Sequence, residues 1–560
     1  MASLAAQQFD ALIEQYSEPP RIGVVVGGSL SKGLTVKLDV SQNVEDLAVG
    51  RYVVVHGSNQ RFFCMITDVI LDNTNPEIQS NPPDISNPFL RAVYIGTAAY
   101  GKISIQPMLA IASGEKGERP TPRPVKTIPG HFLDVRNATV ADVNAVFGEE
   151  DDAHFNVGSP LELETVSINL DLNRLVERSI GVFGKSGTGK SFLTRLLLAG
   201  MIAHNKASCL IFDMHNDYGG AVKKEGSGQA KGLRDLLGAA RVAVCTLDPE
   251  SAMKRNAAID MTVRLPYSAI EPEDLQMLSE SMNLTDAMID AAFMLAKKWG
   301  SDWIYKLIHA DADVFDDIEE TSNARAGTLK GLQRRVQRFE RWSFLTQEAA
   351  EDSFHHILEM LKSGRSVVLE FGSFGNSLEA YILVANYLTR RIHEAYVDLM
   401  ERALGDRSQE PRQLLIVVEE AHKFLDPRIA NQTIFGIIAR EMRKFNVTLL
   451  IVDQRPSGID EEVMSQIGTR VTALLDNERD INAVLTGISG AGSLREVLAR
   501  LETRQQAIIV GHAVPMPVVI RTREYDQAFY QAIHATISGT AADGSAAPVT
   551  LSKDRNNRRL

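Results

Sequence analysis

Two periodicities divide the chain. Between Ile22 and about Pro107 apolar and polar residues alternate in short runs. Leu34, Val36 and Leu38 face one way and Thr35, Lys37 and Asp39 the other, the period-two signature of a half-buried strand. Residues 53–55, 62–71, 92–95 and 103–105 continue the series. The breaks hold turn formers: Gly27-Gly28, Gly57-Ser58-Asn59, residues 73–83 and Gly101. Five or six such strands predict a small β-barrel. From Ser167 onward the apolar runs become continuous: 180–183, 209–212, 242–245, 367–371, 414–418, 448–452, 471–475 and 507–510. Strands lacking a polar face suit a parallel sheet covered by helices on both sides. Between Cys245 and Val367 the pattern turns helical, notably over 272–299 and 328–342, which predicts an inserted helical subdomain rather than a structureless loop.

The expected layout is therefore a helix over 1–20 ending at Pro19-Pro20, then a β-barrel over 21–165. A Pro- and Gly-rich loop interrupts the barrel at 113–130. An α/β core follows over 166–530, with its helical insertion at about 250–362, and a flexible tail over 531–560.

The first core strand runs into Gly184-Lys185-Ser186-Gly187-Thr188-Gly189-Lys190-Ser191, a full match to G-x4-G-K-[ST], and a helical run starts at Phe192. Strand, glycine-rich turn and helix together make a phosphate cradle. The glycines let backbone N–H groups turn inward, Lys190 neutralises the β and γ phosphates, and the Ser191 hydroxyl holds Mg²⁺. The positive end of the new helix adds to the same anion site. These residues, 184–192, predict a nucleotide site in an α/β P-loop NTPase core.

Hydrolysis also needs a carboxylate for the metal and a group to align water. The apolar run 414–418 ends in Glu419-Glu420, assigned here to Mg²⁺ and to the attacking water respectively. Asp213, at the end of the strand after the phosphate-loop helix, supplies a second acid near the γ-phosphate. Gln454, after another apolar run, could sense that phosphate or orient water. Arg440 and Arg443 lie three apart on a helix, and their cationic forks suit a phosphate held by a neighbouring subunit. Lys330, Arg334, Arg338 and Arg341 form a basic stripe suited to DNA phosphates.

Composition changes this picture in three ways. With 59 Lys and Arg against 71 Asp and Glu, the formal charge of −12 argues against a protein that coats DNA with its whole surface. A ring threading DNA through a locally basic channel stays compatible. The three cysteines, Cys64, Cys209 and Cys245, sit singly in strand-like runs, without metal spacing or a disulfide pattern, so a cytoplasmic setting is expected. No run reaches the 18 or so apolar residues of a membrane span, and no signal peptide is evident at the start.

Taken together, the motifs resemble those of HerA-type ATPases, in the HerA/FtsK branch of RecA-like motors. The resemblance rests on the phosphate loop followed by Asp213-Met214-His215-Asn216-Asp217-Tyr218, Glu419-Glu420-Ala421-His422, Arg440-Glu441-Met442-Arg443-Lys444-Phe445 and Gln454-Arg455-Pro456, in that order. Gly23-Val24-Val25-Val26 and Gly33-Leu34-Thr35-Val36 are similar to the family's small HAS-type barrel. Residues 511–520 are similar to its last hairpin. The resemblance covers roughly residues 20–525. It implies a RecA-like core and a homo-hexameric ring that hydrolyses ATP with Mg²⁺. Such a ring moves double-stranded DNA through its central pore, with a separate NurA-like nuclease or a defence effector on the barrel face. It also implies that Arg178 contacts nucleotide within its own subunit, and that Arg443 or Arg440 reaches into the next. Two positions depart from the pattern: Glu419 stands where Asp is usual, and Met442 where Gly is usual. The alternative of a different class is an ATP-ordered ring scaffold that activates effector subunits without moving DNA. A conjugation or secretion motor would normally add a membrane segment, and no N-K-x-D motif supports a GTPase.

Overall fold

The computed structural model describes residues 19–542, apart from 85, 113–121, 162, 224–227, 322–323, 348–352, 431–432, 489–490 and 504. Most of the expected helix over 1–20 and the end of the expected tail thus lie outside the described residues. The chain forms two compact units, Met1–Leu170 with Gly487–Thr522, and Asp171–Thr486 with Arg523–Leu560.

The first unit is built on β1 (Arg21–Ser29), β2 (Gly33–Leu38), β3 (Tyr52–His56), β4 (Gln60–Asn73), β5 (Ala99–Ala112) and β6 (Asp134–Asn137). Their order is β2-β1-β6-β3-β4-β5, and β5 pairs back onto β2 with Leu34 opposite Ile105, so six strands close a barrel. Closure removes the open edges that would invite aggregation. The alternation read along the chain becomes inside and outside: Ile22, Val25, Val36, Val53, Val55, Ile66 and Ile105 fill one buried cluster. The same unit contains the antiparallel hairpin Gln506–Gly511/Val518–Thr522, which pairs with His154–Pro160.

Two expectations for these regions are corrected. Residues 92–95 are not a strand but part of the helix Pro88–Thr97. Asn87 accepts from the Phe89 N–H and Pro88 supplies a preset first turn, and these caps outweigh β propensity. Part of the expected tail is ordered as the helix Gln527–Ala542, whose Phe529 and Ile533 are buried.

The second unit contains a parallel sheet of β7 (Ile180–Phe183), β8 (Ser208–Asp213), β9 (Val242–Thr246), β10 (Ser366–Glu370), β11 (Leu414–Glu419), β12 (Val447–Asp453) and β13 (Thr469–Thr472). The order is β9-β10-β8-β11-β12-β7-β13, with the short strand Met261–Thr262 beyond β9. Every residue of these seven strands is buried, as two helical layers require. The helical insertion includes Asp286–Trp299, Trp303–His309, Ala312–Thr321 and Ala326–Val336. The phosphate-loop strand β7 lies between β12 and β13, and β11 is next beyond β12. The carboxyl ends of β7, β11 and β12 therefore meet at one edge of the sheet, where ligands of such sheets bind.

Candidate active site

The loop after β7 is shaped by backbone conformation. Gly187 (φ 80°) and Gly189 (φ 89°) occupy the left-handed region, and no atom lies within 4 Å of where a Cβ would stand at either. The glycines are thus required by conformation, and the space a side chain would take is an open cradle. The helix Lys190–Ala203 starts directly from Gly189. The Thr188 hydroxyl donates to the Lys185 carbonyl (2.8 Å), and the Lys185 N–H donates to Leu474 O (3.0 Å), which ties the loop to the segment after β13. Lys190 Nζ also donates to Lys185 O, at 2.9 Å. Burial holds the Lys190 ammonium below its ordinary pKa, while Glu420, Asp453 and Glu419 pull it up. Ser186 is exposed, and Lys185 pairs with Asp476 at 3.0 Å.

Glu419 and Glu420 diverge because the chain turns sharply between them. Glu420 sits at φ 50°, ψ 45°, a left-handed conformation costing a side chain about 1–2 kcal/mol. Glu419 points into a buried polar cluster: its Oε1 accepts from the Tyr218 hydroxyl (2.9 Å), while its backbone N–H and C=O both engage the Tyr381 hydroxyl at 3.1 Å. Its Oε2 is buried with no partner among the described residues. Asp213, fully buried, accepts from the Asp217 N–H (2.7 Å) and the Tyr218 N–H (2.8 Å). Burial pushes both acids up to about 7; each also feels neighbouring carboxylates, Glu419 for Asp213, and Asp217 and Glu420 for Glu419.

Glu420 faces the other way. Its Oε1 accepts from Gln454 Nε2 (3.2 Å), and its Oε2 lies 3.6 Å from His422 Nδ1. The His422 N–H donates to Asp453 Oδ2 (2.7 Å), and its ring Nδ1 approaches the same oxygen at 2.9 Å. Asp453, at the end of β12 and 1% exposed, also accepts from the Arg455 N–H at 2.7 Å. Two side-chain contacts thus join the ends of β11 and β12 across the phosphate loop's neighbour. The sequence pattern offered no sign of the His422–Asp453 pair, which depends on those two strands being adjacent.

The residues fit a Mg²⁺-bound nucleoside triphosphate. The open glycine cradle suits phosphate oxygens, and the partnerless Glu419 Oε2 suits a hard cation. Glu419 and Ser191 would hold Mg²⁺, which supplies charge neutralisation of the β and γ phosphates. Lys190 adds cationic charge, and Glu420 with Gln454 can accept a proton from, and orient, an attacking water.

Other expected site residues are placed as follows. Arg178 is exposed just before β7; a Cβ on Gly468 would come within 2.4 Å of the Arg178 Cβ, so that glycine makes room for it. Phe192, half-buried, lies beside Tyr525 with ring centres 6.2 Å apart. Arg440 is used internally: its guanidinium donates to Ala430 O (3.2 Å) and lies 3.7 Å from Glu462. The side chain of Arg443 lies outside the described residues.

The basic stripe is not one continuous face. The α-helix stops at Val336 and residues Gln337–Arg341 form a tighter 3₁₀ turn. Over five residues this change from 3.6 to 3.0 per turn rotates the face by roughly 100°. Lys330 pairs with Asp316 at 3.4 Å, and Arg334 donates to Lys330 O at 3.4 Å. Arg338 and Arg341 instead line a cavity of about 410 Å³ with Met282, Trp342, Ser377 and Glu379.

A parallel sheet with a phosphate loop on one strand and acids on the ends of its neighbours defines a P-loop ATPase. Residues 155–392 match the model of the helicase HerA central domain, and residues 22–95 match the HAS barrel domain. The chain is a HerA-type ATPase with an N-terminal HAS barrel. Among curated relatives, the DNA double-strand break repair helicase HerA of Pyrococcus furiosus is 24% identical over 66% of this chain and 70% of its own length. The protein of that name from Sulfurisphaera tokodaii is 23% identical over 90% of this chain and 93% of its own. Among solved structures, the plasmid coupling protein TrwB in complex with a non-hydrolysable GTP analogue aligns with 70% of this chain and 94% of its own, at 13% identity and a TM-score of 0.45. No helix among the described residues is long and apolar enough to cross a membrane.

Proposed function

We propose that this protein is an ATP-driven motor on double-stranded DNA, working as a homo-hexameric ring with a separate nuclease or effector subunit in DNA end processing or phage defence. The observation that carries this reading is the match to the HerA central domain over residues 155–392, which include the phosphate loop and the strands β7 to β10. The names of the curated relatives, DNA double-strand break repair helicases, support DNA as the substrate. In this reading Lys190, Ser191 and Glu419 hold Mg²⁺·ATP, Glu420 activates water, and Asp213, Gln454 and Arg178 complete the pocket. With Arg440 engaged inside its own subunit, Arg443 is the arginine given to the neighbouring site. Arg338 and Arg341 are the better candidates of the basic stripe for DNA phosphates, since Lys330 already has an acidic partner.

The test is ATP turnover with and without duplex DNA, on full-length protein whose stoichiometry has been measured by light scattering. The expected result is a hexamer whose turnover rises with DNA and disappears in Lys190→Ala. Arg443→Ala should keep the hexamer and lose turnover. Turnover indifferent to DNA would favour the scaffold reading, and equal turnover by isolated monomers would overturn the ring mechanism.

A further inference from the structure

The helix Lys190–Ala203 that follows the phosphate loop carries a charge into its buried face. Arg195 is 1% exposed, and its Nε and Nη1 are buried with no hydrogen-bond partner among the described residues. A leucine or methionine would fill such a place without desolvating a cation, so the arginine must answer some other need. What surrounds it is aromatic. The guanidinium carbon lies 5.0 Å from the ring centre of Phe192 and 5.9 Å from that of Tyr218, within cation–π range.

Tyr218 is the link to the chemistry. Its N–H holds Asp213 Oδ2 at 2.8 Å, its hydroxyl holds Glu419 Oε1 at 2.9 Å, and its ring lies beneath Arg195. One residue therefore fixes both buried acids, Asp213 through its backbone and Glu419 through its side chain, and its ring is held by the buried cation. The charge of Arg195 also acts on Glu419 directly. We propose that Arg195 is a positioning residue for the metal-side carboxylate. By clamping the Tyr218 ring it keeps one oxygen of Glu419 occupied and the other, the partnerless Oε2, free for Mg²⁺, and its charge balances the acids until that cation arrives. This rests on the reading of the site as a Mg²⁺-dependent ATPase.

The experiment measures turnover against free Mg²⁺ at saturating ATP, and in parallel the Mg²⁺ dependence of binding of a fluorescent non-hydrolysable ATP analogue, for the full chain and for Arg195→Met, Arg195→Lys and Tyr218→Phe. The two Mg²⁺ requirements should shift together. Outer partners of metal ligands typically set affinity by 10–100-fold, so Arg195→Met should raise the Mg²⁺ concentration for half-maximal rate about tenfold. The maximal rate at saturating Mg²⁺ should change far less. Tyr218→Phe should move the same concentration upward, and Arg195→Lys should recover part of the loss, keeping charge without the planar stack. A lower melting temperature and lower maximal rate with an unmoved Mg²⁺ requirement in Arg195→Met would show a merely structural arginine and overturn the proposal. If Arg195→Met does not fold, an unchanged Mg²⁺ requirement in Tyr218→Phe overturns it equally. Absence of Mg²⁺-dependent turnover in the unaltered protein would instead sink the underlying reading of the site.

Discussion

Replacing Glu419 with glutamine tests whether the site stores electrostatic strain that its ligand relieves. Glu419 is 7% exposed, and burial raises its carboxyl from 4.5 to about 7. The sign follows from linkage. In the unfolded chain the group ionises near 4.5, while in the fold it resists ionisation until about 7. The stability it contributes is therefore fully present below 4.5 and lost as pH rises through about 7. At 1.36 kcal/mol per pH unit, the gap amounts to about 3 kcal/mol. Asp213 behaves in the same sense, and the Glu419 charge is one of the causes of its rise. Because the two acids share one cluster, their costs are not additive, and about 2–3 kcal/mol is the share expected to vanish in Glu419→Gln.

The assay is thermal melting in EDTA, without nucleotide, at pH 5.5, 7 and 8.5. The variant's advantage should be smallest at pH 5.5, one unit above 4.5, and should widen to several degrees at pH 8.5. Adding Mg²⁺ and a non-hydrolysable ATP analogue at pH 8.5 should reverse the order, since only the carboxylate gains a metal ion. A gap between the two proteins that does not change with pH would refute the reasoning, because the buried charge would then cost nothing.

Two further perturbations address other parts of the molecule. Glu420→Gln should retain nucleotide binding, measured by fluorescence of a labelled analogue, and lose roughly 10²–10⁴-fold in ATP turnover, the usual worth of a positioned base. In the barrel, Phe63 is completely buried with its ring centre 5.0 Å from that of Tyr52, so Phe63→Ala should cost about 3–5 kcal/mol, read as a lowered unfolding transition of that unit by calorimetry.

What the sequence could disclose divides along a physical line. The phosphate loop was legible because its chemistry is local: the glycines, Lys190 and Ser191 act within one strand, turn and helix. The core strands were legible because a buried parallel strand has no polar face to confuse the pattern. Glu419 and Glu420 showed themselves as acids at a strand end, although their opposite orientations come from a left-handed Glu420 that nothing in the residue types announces. Features that depend on which strands become neighbours were hidden. The His422–Asp453 pair needs β11 beside β12, and Arg195 lies in an apolar helix, where its burial is set by what packs on that helix. The strand expected at residues 92–95 and the single helical face expected over 330–341 differ from the structure for the opposite reason. An apolar run and a regular spacing point to one local geometry, while an Asn-Pro cap and a change of helical pitch decide another. The same distinction explains the arginines. Arg440 and Arg443 look equivalent three residues apart, yet the carbonyl of Ala430 and the carboxylate of Glu462 engage Arg440 within its own chain. A group already held inside its subunit can serve a neighbour only by breaking those contacts, a cost that residue type and spacing do not disclose.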